Sequence, residues 1–209
     1  MRIGALQSAY LPWLGFFHQI FLCDLFIIYD DLQYTKKDWR NRNRIKTPQG
    51  AMWLTVPVLN KDSSSKRICD MRISPDPKWA KKHWGALEMN YAKAPFFELY
   101  AAFFRDLYRA PGTYLARLNQ EIIDYCLQVL RIPTPVLYSA QTDIEQDYRA
   151  QCKGRPDPTE RIVYLCRRFG ADIFLEGPSG KNYIQEDRLA REGIHIQYHH
   201  YPHPRYPQR

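Results

Sequence analysis

The chain has 209 residues, of which 45% are hydrophobic and 14% aromatic, enough apolar material for one sizeable α/β domain rather than a disordered chain. Its formal charge of +8 favours anionic partners such as nucleotides, phosphorylated sugars, RNA or an acidic membrane surface. The five cysteines are odd in number and never spaced as CxxC, which suggests neither a disulfide framework nor a zinc knuckle and predicts reduced thiols in the cytoplasm.

The first third of the sequence alternates strand and helix patterns. RIGALQ predicts a short strand, PWLGFFHQIFLCD a helix with apolar residues at helical spacing, and LFIIYDD a buried strand. The apolar run IFLCDLFII is broken by Asp24 and is far shorter than the roughly 20 residues of a spanning helix, so no membrane span is expected. Strand, helix and strand within about thirty residues predict a βαβ unit and a parallel sheet.

The middle of the chain has helical patterns. AMWLTVPV predicts a further strand that ends near Pro57 or lies at a sheet edge. Apolar residues then recur at helical spacing over Lys78–Tyr91, Phe97–Tyr108 and Thr113–Leu130. We interpret residues 76–131 as a helical insertion packed on the sheet.

Strand and helix patterns alternate again after residue 134. TPVLYS predicts a strand, DYRAQCKGRPDP a charged loop, and a helix follows from a Thr159 cap to Gly170. ADIFLEG, QEDRLAREG and IHIQYHHY then predict a strand, a helix and a last strand. The predicted fold is one α/β domain over residues 1–209, with a parallel sheet and flanking helices built from residues 1–60 and 134–200.

The stretch KKDWRNRNRIK, residues 36–46, packs six cationic side chains against one acid. If it is extended, its alternate cations lie on one face about 6–7 Å apart, close to the spacing of successive phosphates; if it is helical, they pair only as i and i+4. A salt-bridged loop is the alternative, but one acid cannot neutralise six cations, so an anionic ligand is expected. The predicted binding residues are Trp39, Arg40, Arg42, Asn43, Arg44 and Lys46.

The sequence YDD places Asp30 and Asp31 where a buried strand emerges. Ligands of open parallel sheets bind outside the carboxyl ends of the strands, so these carboxylates can accept a substrate amine or hydroxyl, act as a base, or ligate Mg²⁺. A strand-ending turn is the alternative. We predict both aspartates to be catalytic, and Mg²⁺ is the one cofactor that they would suit.

Two turns are candidate anion sites. The turn after the first strand holds Gln7 and Tyr10, and His18 follows about two helical turns later as a candidate base. Neither GxGxxG nor GxxxxGK[ST] is present, which argues against conventional dinucleotide and P-loop binding. The turn EGPSGKNY offers Ser179 and Lys181 to an anion, or simply connects two elements.

The segment QYHHYPHPRYPQ contains three histidines within five residues. No Cys or carboxylate at ligand spacing accompanies them, and a strand would direct His199 and His200 to opposite faces, so a metal site is not predicted. A rigid Pro-Tyr segment lining a pocket is the preferred interpretation.

Residues 6–58, from LQSAYLPWLGFFH through DWRNRNRIK to AMWLTVPV, closely resemble the N-terminal signature of the WbqC-like family, and FGADIFLEGPSGKNYI and YHHYPHPRYPQ resemble its later blocks. Members of that family are similar to proteins found in O-antigen and other surface-polysaccharide gene clusters and are suspected transferases. The resemblance therefore implies transferase activity, and its blocks add Tyr183, His203 and Tyr206 as substrate-binding residues.

A weaker likeness is to the nucleotide-binding (HUP-like) half of the class I synthetase and cytidylyltransferase group. The order of strand, Pro-containing turn with WLGF, helix and strand is similar, and GPSGKNYI stands where that group has its second phosphate loop. The two histidines of the HxGH motif of that group are replaced by Trp13 and Phe16.

Three functions follow as hypotheses. The first is acyl or aminoacyl transfer to an amine of a phosphorylated or nucleotide-linked amino sugar, in polysaccharide or specialised metabolite biosynthesis, with aminoacyl-tRNA as one candidate donor. The second is nucleotidyl transfer with Mg²⁺ at the two aspartates. The third is a non-catalytic RNA-binding module.

Overall fold

The computed structural model describes residues 1–59, 65–152 and 157–205, which form two compact units. The first comprises Met1–Gln7, Trp13–Asp31 and Leu127–His203, and the second is built mainly from Ser8–Pro12 and Leu32–Cys126. The strands of the described chain are β1 (Arg2–Leu6), β2 (Leu25–Ile28), β3 (Arg42–Thr47), β4 (Gly50–Thr55), β5 (Val136–Tyr138), β6 (Ile173–Glu176) and β7 (His195–Tyr198). The helices are α1 (Leu14–Phe21), α2 (Lys78–Tyr91), α3 (Phe97–Arg109), α4 (Leu115–Val129), α5 (Ile144–Gln151), α6 (Pro158–Phe169) and α7 (Glu186–Arg191).

The first unit contains a five-stranded sheet in the order β5-β2-β1-β6-β7, and every neighbouring pair is parallel. The chain runs outward from β1 to β2 and β5 on one side, and from β6 to β7 on the other. This order reverses direction between β1 and β6, which makes the carboxyl ends of those two strands the topological switch point of the sheet. The predicted α/β fold with a parallel sheet and flanking helices is confirmed, and the strand order is compatible with a HUP-like fold.

The central strands have the apolar sequences of a sheet that is covered on both faces. Ile3, Ile27 and Phe174 are at most 1% exposed. Gly4 allows the close approach of its neighbours, because a Cβ at this position would lie 2.9 Å from the Phe26 ring and 3.1 Å from the Leu175 carbonyl oxygen. The glycine is therefore required where β1 is squeezed between β2 and β6.

The second unit combines the antiparallel β3–β4 hairpin with the predicted helical block. Ile45 and Leu54 from the hairpin pack into one apolar core with residues of α2, α3 and α4. The helices predicted over Lys78–Tyr91 and Phe97–Tyr108 are confirmed nearly to the residue. The predicted strand in AMWLTVPV exists as β4, but it pairs with β3 in a separate two-stranded sheet.

Two local predictions were wrong. Of the predicted loop DYRAQCKGRPDP, the part DYRAQ lies within α5, whose i, i+4 Arg149–Glu145 ion pair and buried Ile144 and Tyr148 outweigh its high charge. Residues 153–156 of that loop lie outside the described residues. The cap of α6 is Asp157, whose carboxylate accepts the Thr159 N–H at 2.8 Å; Pro158 occupies the first helical position, where its missing N–H is harmless. None of the helices in the described residues is long and apolar enough to cross a membrane.

A buried polar cluster lies in the core of the second unit. The Tyr10 hydroxyl is hydrogen bonded to His83 Nδ1 at 2.8 Å and to the Tyr108 hydroxyl. Burial lowers the pKa of His83 to about 4, so the ring is neutral at pH 7 and can accept the Tyr10 proton. Removing the hydrogen-bond partner of a buried polar group lowers the stability of the folded protein.

We therefore expect Tyr10→Phe to lower the free energy of unfolding by about 1–3 kcal/mol, because His83 and Tyr108 lose a buried partner. Tyr114, which is 48% exposed in the same unit, provides the matched control, and Tyr114→Phe should change stability by less than about 0.5 kcal/mol. Urea denaturation of both variants is the measurement. Equal effects would show that the Tyr10 hydroxyl contributes nothing specific.

Candidate functional site

Polar side chains collect where the strands of the first unit end. β1 leads into Gln7, β2 into Tyr29, Asp30 and Asp31, and β5 into Ser139, while β6 ends at Glu176 and β7 is followed by His199. Because all five strands are parallel, these residues share the carboxyl edge of the sheet. That edge is where ligands of open α/β sheets bind.

His18 and His199 form a hydrogen-bonded pair at this edge. His18 Nδ1 lies 2.8 Å from His199 Nε2, so one ring donates and the other accepts. His18 is half-buried in α1, and His199 is 5% exposed. Burial lowers the pKa of His199, and the neighbouring His18 adds to the effect. A His199 that is neutral at pH 7 can therefore accept a proton.

The strand register explains why His199 reaches α1. Tyr198 is in register with Glu176, so both side chains lie on the same face of the sheet, and alternation directs His199 to the opposite face. His18 of α1 meets it there. His199 is buried, whereas His200 is exposed.

Aromatic rings surround the histidine pair. Tyr201 lies with its ring centroid 5.1 Å from that of His18 and stacks on His199 at 6.3 Å. Trp13 and His203 contact Tyr201 edge-on at 5.4 and 5.9 Å. The structure thus brings two predicted site residues, His18 and His203, into one cluster around Tyr201.

Glu176 is a buried acid at the switch point. It is 9% exposed, and its Oε1 accepts the Gly177 N–H at 2.8 Å. Burial raises the pKa of Glu176 to about 7, although the hydrogen bonds from Gly177 and Tyr183 favour the charged form. A carboxyl group that titrates near neutral pH can either donate or accept a proton.

Asp30 and Asp31 are both buried, at 4% and 5% exposure. The Ser139 hydroxyl donates to Asp31 Oδ2 at 2.6 Å. The preceding Tyr29 is held by α5, because its hydroxyl donates to Glu145 at 2.6 Å and Glu145 is itself paired with Arg161 at 2.7 Å. A helix that the sequence did not predict therefore positions this strand end.

The turn after β6 covers Glu176. Ser179 and Lys181 are exposed, and the Lys181 ammonium lies 5.0 Å from the Tyr198 ring centroid. Gly180 has to be a glycine, since a Cβ there would lie 2.3 Å from Glu176 Cγ and 2.9 Å from Ile184 Cδ1. This turn is thus fitted closely to the acid that it covers.

The carboxylates and imidazoles at this edge are of the types that bind metal ions. The described residues contain no group of three or more His, Cys, Asp or Glu side chains arranged to hold a metal ion. Asp30 and Asp31 remain the predicted carboxylates for Mg²⁺, and no further protein ligand is assigned to it.

The basic segment lies in the second unit and is extended from Arg42 onward. β3 directs Arg42, Arg44 and Lys46 to the outer face of the hairpin, and Ile45 to the core. Trp53, opposite Arg44 on β4, lies on the same outer face. The Arg42 and Arg44 guanidinium carbons are 4.4 and 5.3 Å from the Trp53 ring centroid, within cation–π range.

Asp38 organises the loop before β3. It accepts hydrogen bonds from the Thr35 hydroxyl and the Trp39 N–H, both at 2.6 Å, and lies 3.6 Å from Arg40. Burial opposes its ionisation, but the Thr35 hydrogen bond and the charges of Arg40 and Arg42 hold its pKa below the usual value. Asp38, the one acid of the segment, therefore binds partners within this loop.

Three further predicted residues have structural contacts. The Asn43 amide donates to the carbonyls of Tyr10 and Leu11, at 3.3 and 2.7 Å, rather than pointing outward with the cations. Tyr10 is fully buried in the core. Gln7 is half-buried at the end of β1 in the first unit, and the predicted Tyr206 lies outside the described residues.

Sequence analysis missed three residues that the geometry makes prominent. Glu176 stands at the end of an apolar strand, as Asp30 does, so the same rule about strand ends would have found it. His199 was weighed only as a metal ligand, and its pairing with His18, 181 positions away, leaves no local signal. Trp53 was counted as part of a strand, without regard to the face on which it lies.

An apolar cavity of about 450 Å³ lies in the second unit, between the inner face of the hairpin and α2 and α3. Trp84, Tyr91, Phe97 and Phe104 line it. None of the predicted site residues contributes to its wall.

The first prediction for the site concerns Gly180. Gly180→Ala should lower the free energy of unfolding by about 1–3 kcal/mol, because the added methyl group displaces the buried Glu176 side chain. Gly177→Ala is the matched control: Gly177 has an extended backbone, with φ −67° and ψ 159°, and open space around its Cα. It should be neutral or slightly stabilising. Equal stabilities in urea denaturation would contradict the close fit.

The second concerns the pH dependence of stability. With a pKa of about 7 in the folded chain against 4.5 for the free side chain, Glu176 binds more protons in the folded than in the unfolded state between these values. Stability should therefore fall as pH rises from 4.5 to 7, by roughly 3 kcal/mol at most. Glu176→Gln has no carboxyl group to titrate at this position, so its free energy of unfolding relative to that of the parent should rise between pH 5 and 8. If the free energies of unfolding of the parent and the variant change with pH in the same way, the raised pKa of Glu176 is contradicted.

Comparison with known proteins assigns the chain to a family. It matches the WbqC-like protein family over residues 7–209. The uncharacterized protein Rv1507c of Mycobacterium tuberculosis is 37% identical over 201 residues, which cover 96% of this chain and 82% of that protein. No solved structure gives a significant match. The chain belongs to the WbqC-like protein family.

Proposed function

We propose that the protein is a group transferase that moves an acyl or aminoacyl group onto the amine of a phosphorylated or nucleotide-linked amino sugar. The observation that carries this proposal is the His18–His199 hydrogen bond at the carboxyl edge of the sheet, beside the strand that ends in Glu176. Two titratable environments that shift pKa values in opposite directions are typical of an acid and a base that work together.

The histidine pair supplies the base. An amine attacks a carbonyl carbon only through its free lone pair, so it reacts in its neutral form, and its nitrogen must give up one proton as the new bond forms. His199 accepts that proton, and the hydrogen bond to His18 orients the accepting ring. The carbon–nitrogen bond forms as the bond between the acyl carbon and its leaving group breaks.

Glu176 supplies the acid. Its carboxyl group is partly protonated at pH 7, because burial raises its pKa to about 7. The proton passes to the leaving group as that bond breaks, and solvent later restores it. Asp30 and Asp31 orient the amine or the neighbouring sugar hydroxyls by accepting hydrogen bonds.

The turn after β6 supplies the phosphate contact within the same unit. Ser179 and Lys181 are both exposed and lie three and five residues after Glu176. The Lys181 ammonium is a point charge for a phosphate, and the Ser179 hydroxyl is a donor. A role in surface-polysaccharide biosynthesis would account for a substrate that carries both a phosphate and an amine.

The test is a transfer assay with full-length protein. UDP- and dTDP-linked amino sugars are incubated with acyl-coenzyme A or aminoacyl-tRNA, and mass spectrometry follows the gain of one acyl or aminoacyl group. We expect a product with at least one pair, and a fall of kcat by about 10²- to 10⁴-fold in His199→Asn, because the base is lost.

The control is His195→Asn, an exposed histidine at the amino end of the same strand. It should leave kcat unchanged. The proposal fails if no pair gives product, or if the two histidine variants lose activity equally.

A further inference from the structure

The outer face of the β3–β4 hairpin combines exposed aromatic rings with cations. Trp39 and Trp53 are each 44% exposed, and their ring centroids lie 5.5 Å apart at an interplanar angle of 32°. Arg44 and Lys46 are exposed on the same strand, and neither forms an ion pair with another described residue. Two solvent-exposed indole rings beside two such cations indicate a surface that binds a ligand.

The backbone that carries this face is held in place. The Trp39 carbonyl accepts the Tyr10 N–H at 3.0 Å, and the Trp39 N–H donates to Asp38. Asn41, which is 6% exposed, donates to the Val56 carbonyl at 2.8 Å and so fixes the open end of the hairpin. The two indoles are therefore positioned before any ligand arrives, which reduces the entropy lost on binding.

The Trp53 ring is already used as a stacking surface. Arg42 and Arg44 both lie over it, at 4.4 and 5.3 Å from its centroid. Planar guanidinium groups and indoles both present faces on which a nucleobase can stack, and the same guanidinium groups can bind phosphate. The face therefore offers both contacts that a nucleotide chain requires.

The spacing of the cations selects the ligand. Arg42, Arg44 and Lys46 follow at intervals of two residues, about 6–7 Å apart, so together they extend over about 13 Å. The two phosphates of a nucleoside diphosphate share a bridging oxygen and cannot reach all three. Successive phosphates of an extended polynucleotide can.

We propose that the outer face of the β3–β4 hairpin binds single-stranded RNA, with the three cations on successive phosphates and with bases stacked on Trp39 and Trp53. Unstacked bases are typical of RNA loops and ends, and they are unavailable in a duplex. The inference does not depend on the transfer chemistry, because every residue in it belongs to the second unit.

Fluorescence anisotropy of full-length protein with a labelled, unstructured 12-nucleotide RNA of mixed sequence tests the proposal. A plot of log K against log salt concentration should have a slope of about −2, from three phosphate contacts. Lys46→Gln should reduce that slope by about 0.7, whereas Arg109→Gln, which removes an exposed cation at the end of α3, should not.

Trp53→Ala should weaken binding about 5- to 150-fold through the loss of one stacking surface, and Trp53→Phe by less. Phe96→Ala, which removes another exposed aromatic ring from the same unit, should have no effect. Circular dichroism melts establish that each variant is folded, and Lys46→Gln keeps the test decisive should Trp53→Ala unfold.

Three results would overturn the inference. The first is equal binding of a 12-base-pair RNA duplex, and the second is displacement of the RNA by UDP at comparable concentration. The third is concentration-dependent self-association that Trp53→Ala abolishes while RNA binding is absent, which would make the face a protein interface.

Discussion

Parallel pairing of β1 with both β2 and β6 is the constraint on which the first unit depends. It places the ends of five strands at one edge, and it requires Gly4 where the three central strands come closest. Because the strand order reverses between β1 and β6, the chain returns to opposite faces of the sheet on the two sides of that point. Alternation along the strands places Glu176 on one face and His199 on the other at this same edge.

The sequence predicted the elements better than their partners. Periodicity found the βαβ start and the helices α2 and α3, because apolar spacing is a local property. It left open whether RNRNRIK was strand or helix, since that choice depends on β4, the strand with which β3 pairs. The His18–His199 contact spans 181 positions, and no local pattern encodes it. The position of Asp30 and Asp31 after β2 could be predicted because an acid after an apolar strand is a local signal.

Alternate residues of β3 have different roles, because their side chains point to opposite faces of the hairpin. Asn43 and Ile45 turn inward, where Ile45 packs in the core and the Asn43 amide holds the carbonyls of Tyr10 and Leu11. The latter carbonyl belongs to a residue with φ of 48°, a left-handed conformation that needs such support. The alternate residues turn outward and carry the charge. The predicted binding set grouped Asn43 with Arg42, Arg44 and Lys46 and so combined residues from two faces.

The shifted pKa values of His199 and Glu176 allow both buried side chains to be uncharged over one interval of pH. His199 is neutral above its lowered pKa, and Glu176 is largely protonated below about 7, so both are uncharged only between these two limits. Within that interval neither buried group bears a charge that burial would penalise. In the proposed transfer, His199 accepts one proton and Glu176 gives one up, which leaves an imidazolium and a carboxylate. Such an arrangement should give a pH–rate profile with one limb from each group. The width of its plateau reports the difference between the pKa values of His199 and Glu176.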